Sequence, residues 1–113
     1  MRILVVDDVR SLEPTDGEVV YARTRPEGMA RIAEGPWDVV YLDHDLGEKG
    51  DVRPVVTLLE ERAFHGDPVP IGRVVVVTTN AYGANWIRQD LERHYPVRIR
   101  PAGPVIPVAE STG

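Results

Sequence analysis

The stretch VVYLDHDLGEKG, residues 39–50, decides how the chain is interpreted. It begins as an uninterrupted apolar run and continues into Asp43, His44 and Asp45. A continuous apolar run is typical of a strand that is buried on both faces of a parallel sheet. Two carboxylates and an imidazole are costly to desolvate without a partner. We therefore expect them to be solvated, paired, bound to a metal or engaged in chemistry.

Outward from this stretch, apolar strands alternate with helical patterns. The predicted strands are residues 3–6, 19–24, 38–42, 73–79 and 97–100, and the predicted helices are about residues 26–34, 52–64 and 83–94. Apolar strands joined by helical crossovers predict an α/β fold whose parallel sheet is covered on both faces. Residues 10–17 are turn-rich and leave room for a single helical turn at most. The proline-rich tail, residues 102–113, is predicted to be extended or loosely docked.

Composition excludes several classes of protein. The 113 residues suit one domain, and the net charge of -5 argues against a broad basic face for duplex nucleic acid. A small pocket for one phosphate group is compatible with that charge. The chain has no cysteine, which excludes disulfides and thiolate metal ligands. No apolar run approaches the roughly 20 residues of a membrane helix, and nothing resembles a signal peptide, so we expect a cytoplasmic protein that does not bind membranes.

Polar residues follow almost every predicted strand. In open parallel sheets, ligands bind outside the carboxyl ends of the strands, so these side chains are expected at one edge. They are Asp7 and Asp8, then Asp43, His44 and Asp45, then Thr78, Thr79 and Asn80, and finally Arg100.

The acids at this edge predict a divalent cation. Asp8 and Asp43 end adjacent strands, so their carboxylates would repel each other if both were ionised. Mg²⁺, or Mn²⁺ in its place, relieves that repulsion and is commonly held by one or two carboxylates plus a substrate phosphate. Asp7 is then a more distant or water-mediated ligand. Asp43 is either a third oxygen ligand or a nucleophile.

The remaining residues suit a phosphate. His44 points away from Asp43 in an extended segment and reaches the same pocket only if the chain bends; there it is a general acid or base. Its alternative role is to fix a carboxylate by a hydrogen bond. Thr78 or Thr79 is expected to donate to a phosphoryl oxygen, the N–H groups around Gly83 to seat an anion, and Arg100 to clamp it. Each residue also has a purely structural interpretation as a turn, cap or solvated edge residue.

These residues resemble a known family. ILVVDD, an aspartate closing the third strand, a threonine closing the fourth and a basic residue before proline are similar to the receiver domain of two-component signalling, over residues 1–101. LDHDLG (residues 42–47) and NAYGANW (residues 80–86) resemble more closely its cyclic-phosphate processing branch. The resemblance implies a flavodoxin-like fold with strand order 2-1-3-4-5. It carries over Asp7, Asp8, Asp43, His44, Asp45, Asn80 and Gly83.

The chain departs from the family pattern in its helices, because the first helix is reduced and the closing helix is absent, and it also departs at two sets of residues. Thr78 and Thr79 precede Asn80, where the closer branch has a histidine and a small hydroxyl residue. Arg100 takes the place of the receiver lysine and substitutes a planar fork for a compact ammonium.

The resulting hypothesis is a metal-dependent domain that binds and processes a phosphate ester, namely a cyclic phosphate of a nucleotide or of a nucleic-acid end. In this hypothesis it acts as a cyclic phosphodiesterase or phosphohydrolase. Two alternatives stay open: a stand-alone receiver phosphorylated on Asp43, and a degenerate receiver that only binds a protein partner.

Overall fold

The fold is a central parallel sheet with a different cover on each face. A computed structural model describes residues 1–44, 51–100 and 103–108 of the chain. The sheet is formed by β1 (Arg2–Val6), β3 (Glu18–Ala22), β4 (Trp37–Leu42), β5 (Ile71–Val77) and β6 (Val97–Arg100), in the order β3-β1-β4-β5-β6. Counting only these five strands, this order is the predicted 2-1-3-4-5, so the flavodoxin-like fold is confirmed.

Three helices cover one face of the sheet: α1 (Arg25–Ile32), α2 (Arg53–Phe64) and α3 (Ala81–Leu91). Thr24 caps α1, because its hydroxyl accepts a hydrogen bond from Glu27 N and donates one to the Glu27 carboxylate. Asp51 precedes α2 and accepts from Arg53 N at 2.9 Å. The predicted third helix is displaced towards the N-terminus, since it begins at Ala81 and ends at Leu91 rather than at residue 94. Among the described residues, no helix is long and apolar enough to cross a membrane.

A short parallel ribbon covers the other face. It consists of β2 (Ser11–Leu12) and β7 (Val105–Ile106), and we call it the β2–β7 ribbon. Ile106 O accepts a hydrogen bond from Glu13 N at 2.9 Å, and the Glu13 carboxylate accepts one from Val108 N at 2.7 Å. Residues 10–17, which leave room for a single helical turn at most, therefore contain a short strand and no crossover helix. Part of the predicted tail is docked on the domain, while residues 101–102 and 109–113 lie outside the described residues.

Alternate residues of the same strands feed the two faces, as the pleat of a strand requires. In β1, Leu4 and Val6 pack with the helices, whereas Ile3 and Val5 pack with the ribbon. The same alternation separates the other buried residues of β4 and β5: Val40, Leu42, Val74 and Val76 lie on the helical face, and Val39, Tyr41, Val75 and Val77 on the ribbon face. The predicted burial of both faces is thereby confirmed.

Candidate functional site

Three carboxylates meet at the carboxyl edge of the sheet. Asp7 N donates to Ala22 O and Asp43 N donates to Val6 O, so both residues extend the strand ladders by one position. Oxygens of Asp7, Asp8 and Asp43 lie within 4.8 Å of one another. Asp7 is 1% exposed and Asp43 is 4% exposed, whereas Asp8 is half-buried. The sequence prediction that these acids converge is met by the geometry.

Asp7 has a structural task in addition to its charge. Its Oδ1 accepts hydrogen bonds from Val9 N at 3.0 Å and from Arg10 N at 2.8 Å. An aspartate that bonds to the backbone two and three residues later turns the chain sharply. Because of this turn, the side chain of Arg10 lies next to Asp7 and Asp43.

Arg10 is a residue of the site that the sequence interpretation missed. Its Nη1 lies 2.8 Å from Asp43 Oδ2 and 3.3 Å from Asp7 Oδ2. Its Nε donates to the Gly103 carbonyl oxygen at 2.9 Å. The requirement that buried carboxylates be paired predicts such a cation, and Arg10 is near in sequence. The three acids and Arg10 together leave the site with two net negative charges.

Arg23 supports this arrangement from β3. Its guanidinium donates to the backbone carbonyl oxygens of Asp7 and Arg10, and it stacks over the Tyr21 ring at 4.4 Å. The Tyr21 hydroxyl in turn accepts a hydrogen bond from Leu12 N at 3.1 Å. The loop that carries Arg10 is therefore fastened to the sheet on one side and to the β2–β7 ribbon on the other.

A cavity of about 260 Å³ opens beside the acids. Its lining residues are Asp8, Val9, Arg10, Asp43, Thr78, Thr79 and Asn80. The volume and the polar lining suit a small charged ligand. The two acids and three polar residues after β5 come together here as the sequence predicted.

Asn80 and Gly83 organise the start of α3. The Asn80 side-chain oxygen accepts from Gly83 N at 3.0 Å, and the Thr78 hydroxyl accepts from Asn80 N at 3.2 Å. Asn80 thus acts as the N-cap of the helix, which uses the Gly83 N–H that the sequence interpretation offered to an anion.

His44 lies on the opposite face of the strand from Asp43. Its ring packs edge-on against Trp86, with 5.8 Å between ring centroids, and against the backbone of Gly83. A Cβ on residue 83 would collide with the imidazole, so this contact requires glycine. Within the described part of the chain, His44 Nδ1 has no hydrogen-bond partner and His44 is not among the residues that line the cavity.

Two further predicted site residues are Arg100 and Asp45. Arg100 ends β6 in register with Val77, and it is not among the described residues that line the cavity. Asp45 lies outside the described residues. The predictions for the roles of Asp45, His44 and Arg100 therefore stay predictions.

The donor set fits a hard divalent cation. It consists of carboxylate oxygens, two of them buried, next to a cavity with room for water and phosphate. Arg10 forms an ion pair with Asp43, so a metal ion would compete with Arg10 for that carboxylate.

Comparison with known proteins now adds to the geometry. No curated protein matches the chain significantly. The family model of the cyclic-phosphate processing receiver domain matches residues 2–93, well over half of the chain. This range contains all the acids of the site, the threonines after β5 and the Asn80–Gly83 cap. The chain belongs to the cyclic-phosphate processing receiver domain family.

Proposed function

We propose that this chain is a divalent-metal-dependent domain that binds and processes a phosphate ester, specifically a cyclic phosphate of a nucleotide or of a nucleic-acid end. The observation that carries the proposal is the approach of Asp7, Asp8 and Asp43 oxygens to within 4.8 Å, beside a polar cavity. Net negative charge in a small pocket disfavours a phosphate unless a cation is also present. The family to which the chain belongs supports the same substrate class.

Asp8 and Asp43 are the proposed ligands of Mg²⁺, with Mn²⁺ as a substitute. Asp7 is less available, because one of its oxygens already accepts two backbone hydrogen bonds. The bound cation supplies charge neutralisation of the phosphoryl oxygens. The hydroxyls of Thr78 and Thr79 are the proposed donors to those oxygens, since both residues line the cavity.

Ring opening needs a nucleophile, either an aspartate or a water molecule, that attacks the phosphorus as the ring P–O bond breaks, and an acid that protonates the departing oxygen. His44 is the proposed acid, and Asp45 is the proposed second carboxylate of the Asp-His-Asp sequence. To deliver a proton to the cavity, the His44 ring has to leave its contacts with Gly83 and Trp86. If His44 is the acid, His44→Gln lowers kcat by about 10²–10⁴-fold and leaves Mg²⁺ affinity unchanged. If its role is packing alone, the same variant changes stability and not kcat.

The first experiment is calorimetric titration of Mg²⁺ into the wild type, Asp43→Asn and Asp67→Asn. Asp67 is a matched control, because it is exposed and paired with Arg62 at 3.1 Å, away from the site. Saturable binding that is lost only in Asp43→Asn supports the acidic site. Absence of binding in the wild type contradicts the metal-dependent proposal.

Two ligands then separate processing from the alternatives. Hydrolysis of a 2′,3′-cyclic nucleotide in the presence of Mg²⁺ supports processing. A stable gain of one phosphoryl group on Asp43 from acetyl phosphate, without cyclic-nucleotide turnover, favours the stand-alone receiver. Mg²⁺ binding with neither reaction favours a receiver that only binds a protein partner.

A further inference from the structure

We propose that Arg10 is the phosphate-binding cation of this site, held by Asp43 before ligands arrive and transferred to the phosphate when a divalent cation takes over the carboxylates. This inference rests on the proposed function and deepens it. It assigns to the loop after β1 a task that the sequence interpretation gave to Arg100 at the far edge of the sheet.

The buried carboxylates require a compensating charge. Asp7 and Asp43 are almost fully buried and lie side by side. Two ionised carboxylates in such a place need a cation, and Arg10 Nη1 bridges them at 3.3 and 2.8 Å. Arg10 therefore offsets part of the repulsion between the two carboxylates while no metal is bound.

Two further hydrogen bonds anchor Arg10. Its Nε is bound to the Gly103 carbonyl, and its backbone N–H is bound to Asp7 Oδ1. Neither bond involves Asp43. If Nη1 leaves Asp43, both anchors still hold the guanidinium beside the cavity that Arg10 lines.

The Arg10 guanidinium retains hydrogen-bonding capacity for a ligand. A guanidinium has five N–H donors in a planar fork that matches phosphate oxygens. Nε and Nη1 are engaged, whereas Nη2 of Arg10 has no acceptor among residues 1–44, 51–100 and 103–108. A phosphate in the cavity provides acceptors for Nη2 and for the Nη1 that a metal displaces.

Arg23 and Arg53 are engaged with other partners. Arg23 is occupied by backbone carbonyls and by Tyr21. Arg53 stacks over Trp86 at 4.5 Å on the helical face. Among the described residues, Arg10 is the cation that lines the cavity.

The inference predicts opposite effects on two ligands. Arg10 repels Mg²⁺ and occupies an oxygen of Asp43, so its removal strengthens Mg²⁺ binding. Arg10 attracts phosphate, so its removal weakens phosphate binding. A residue that only maintains the shape of the site would weaken both.

The test uses Arg10→Gln, with Arg31→Gln as the matched control. Arg31 is exposed at the end of α1 and pairs with Glu34, so its substitution removes the same charge away from the site. Each protein is titrated calorimetrically with Mg²⁺ alone, with inorganic phosphate at saturating Mg²⁺, and with inorganic phosphate alone. For Arg10→Gln we expect Mg²⁺ binding that is about fivefold tighter and phosphate binding that is at least about tenfold weaker. Arg31→Gln should match the wild type in every titration.

Several outcomes would overturn the inference without touching the proposed function. These are Mg²⁺ binding by the wild type together with unchanged phosphate affinity in Arg10→Gln, or weaker binding of both ligands. Absence of Mg²⁺ binding in the wild type sinks the proposed function instead. The metal-free phosphate titration then still tests Arg10, because phosphate binding of equal affinity in the wild type and in Arg10→Gln removes its assignment, as does the absence of phosphate binding by the wild type.

Arg10→Lys keeps the test decisive if Arg10→Gln does not fold. Lysine retains the charge and loses the planar fork. We expect Mg²⁺ affinity close to that of the wild type and phosphate binding that is a few-fold weaker. Phosphate affinity equal to that of the wild type would contradict the assignment of the fork.

Discussion

The two faces of the central sheet are built from alternate residues of the same strands, yet they are closed by structures of very different size. The three helices α1, α2 and α3 cover the face that contains Leu42, whereas the two-residue strands β2 and β7 cover the face that contains Tyr41. Asp7 and Asp43 continue the ribbon side of the strands, and His44 continues the helical side. The two buried acids therefore lie on the side of the sheet that the small ribbon covers, and the imidazole lies on the side that the three helices cover.

Removal of core volume should have the largest effect and should differ between the faces. Leu59 in α2 is 0% exposed and Ile106 in the ribbon is 1% exposed. Truncation to alanine is expected to lower the free energy of unfolding by about 3–5 kcal/mol for Leu59→Ala and by about 2 kcal/mol for Ile106→Ala, because the small ribbon relaxes more readily around a cavity. Denaturant unfolding measures both.

Val105→Ala is the control for Ile106→Ala. Val105 precedes Ile106 in β7, but it is 51% exposed and should contribute little to the free energy of unfolding. Equal losses for Leu59→Ala and Ile106→Ala would show that the ribbon is as rigid a cover as the helices.

Gly83→Ala tests the packing of the imidazole on the helical side. The added methyl group collides with the His44 ring, so we expect a loss of about 1–3 kcal/mol and a changed His44 environment in NMR spectra. His44→Ala combined with Gly83→Ala removes the collision. The double variant should therefore lose less stability than the sum of the two single variants. Simple additivity would place the ring elsewhere in solution.

Tyr21→Phe tests the attachment of the ribbon. The Tyr21 hydroxyl accepts from Leu12 N, so its removal is expected to cost about 1 kcal/mol and to accelerate hydrogen exchange of the Leu12 amide. Tyr82→Phe serves as the control, because Tyr82 is 78% exposed. Unchanged exchange at Leu12 would mean that β7 alone holds β2.

The smallest expected effect is a dependence on alkaline pH from the helical side. Burial raises the pKa of Tyr95 above its ordinary value of 10.0, against a smaller opposing effect of Arg62. The Tyr95 hydroxyl donates to Val69 O at 2.7 Å. The folded state holds this proton more tightly than the unfolded state does. Its contribution to stability is therefore complete below pH 10.0 and is lost as the pH rises through the folded-state pKa.

Tyr95→Phe should flatten the alkaline decline of unfolding free energy, and Tyr82→Phe should leave it unchanged. A decline of the same slope in Tyr95→Phe and in the wild type would assign it to another group.

The helical face was predictable from the sequence because its elements are long enough to show a period. Val55, Val56 and Leu59 repeat at helical spacing, and the apolar runs of β4 and β5 mark central strands. Strand alternation also predicted that His44 departs opposite to Asp43. The convergence of Asp8, Asp43 and Thr78 followed from the rule that parallel strands end at one edge.

The ribbon and Arg10 were not predictable in the same way. A strand of two residues has no measurable period, and Leu12 and Ile106 are distant in sequence. Arg10 lies in a turn-rich loop, where an arginine ordinarily is solvated. Its position depends on the hydrogen bonds of Asp7 and on the Gly103 carbonyl. No local sequence pattern indicates the contact with Gly103, because it is made only when the chain has folded.

The bond between Arg10 Nε and the Gly103 carbonyl joins residues 93 positions apart in the chain. The family match ends at residue 93, before β6 and the ribbon strand β7. A fragment that ends at residue 93 retains Asp7, Asp8 and Asp43 but lacks the Gly103 carbonyl oxygen that accepts the hydrogen bond of Arg10. For grafting or dissection, the excised segment should therefore extend at least through residue 108. A boundary placed at the end of the family match would separate Arg10 from the Gly103 carbonyl that binds it.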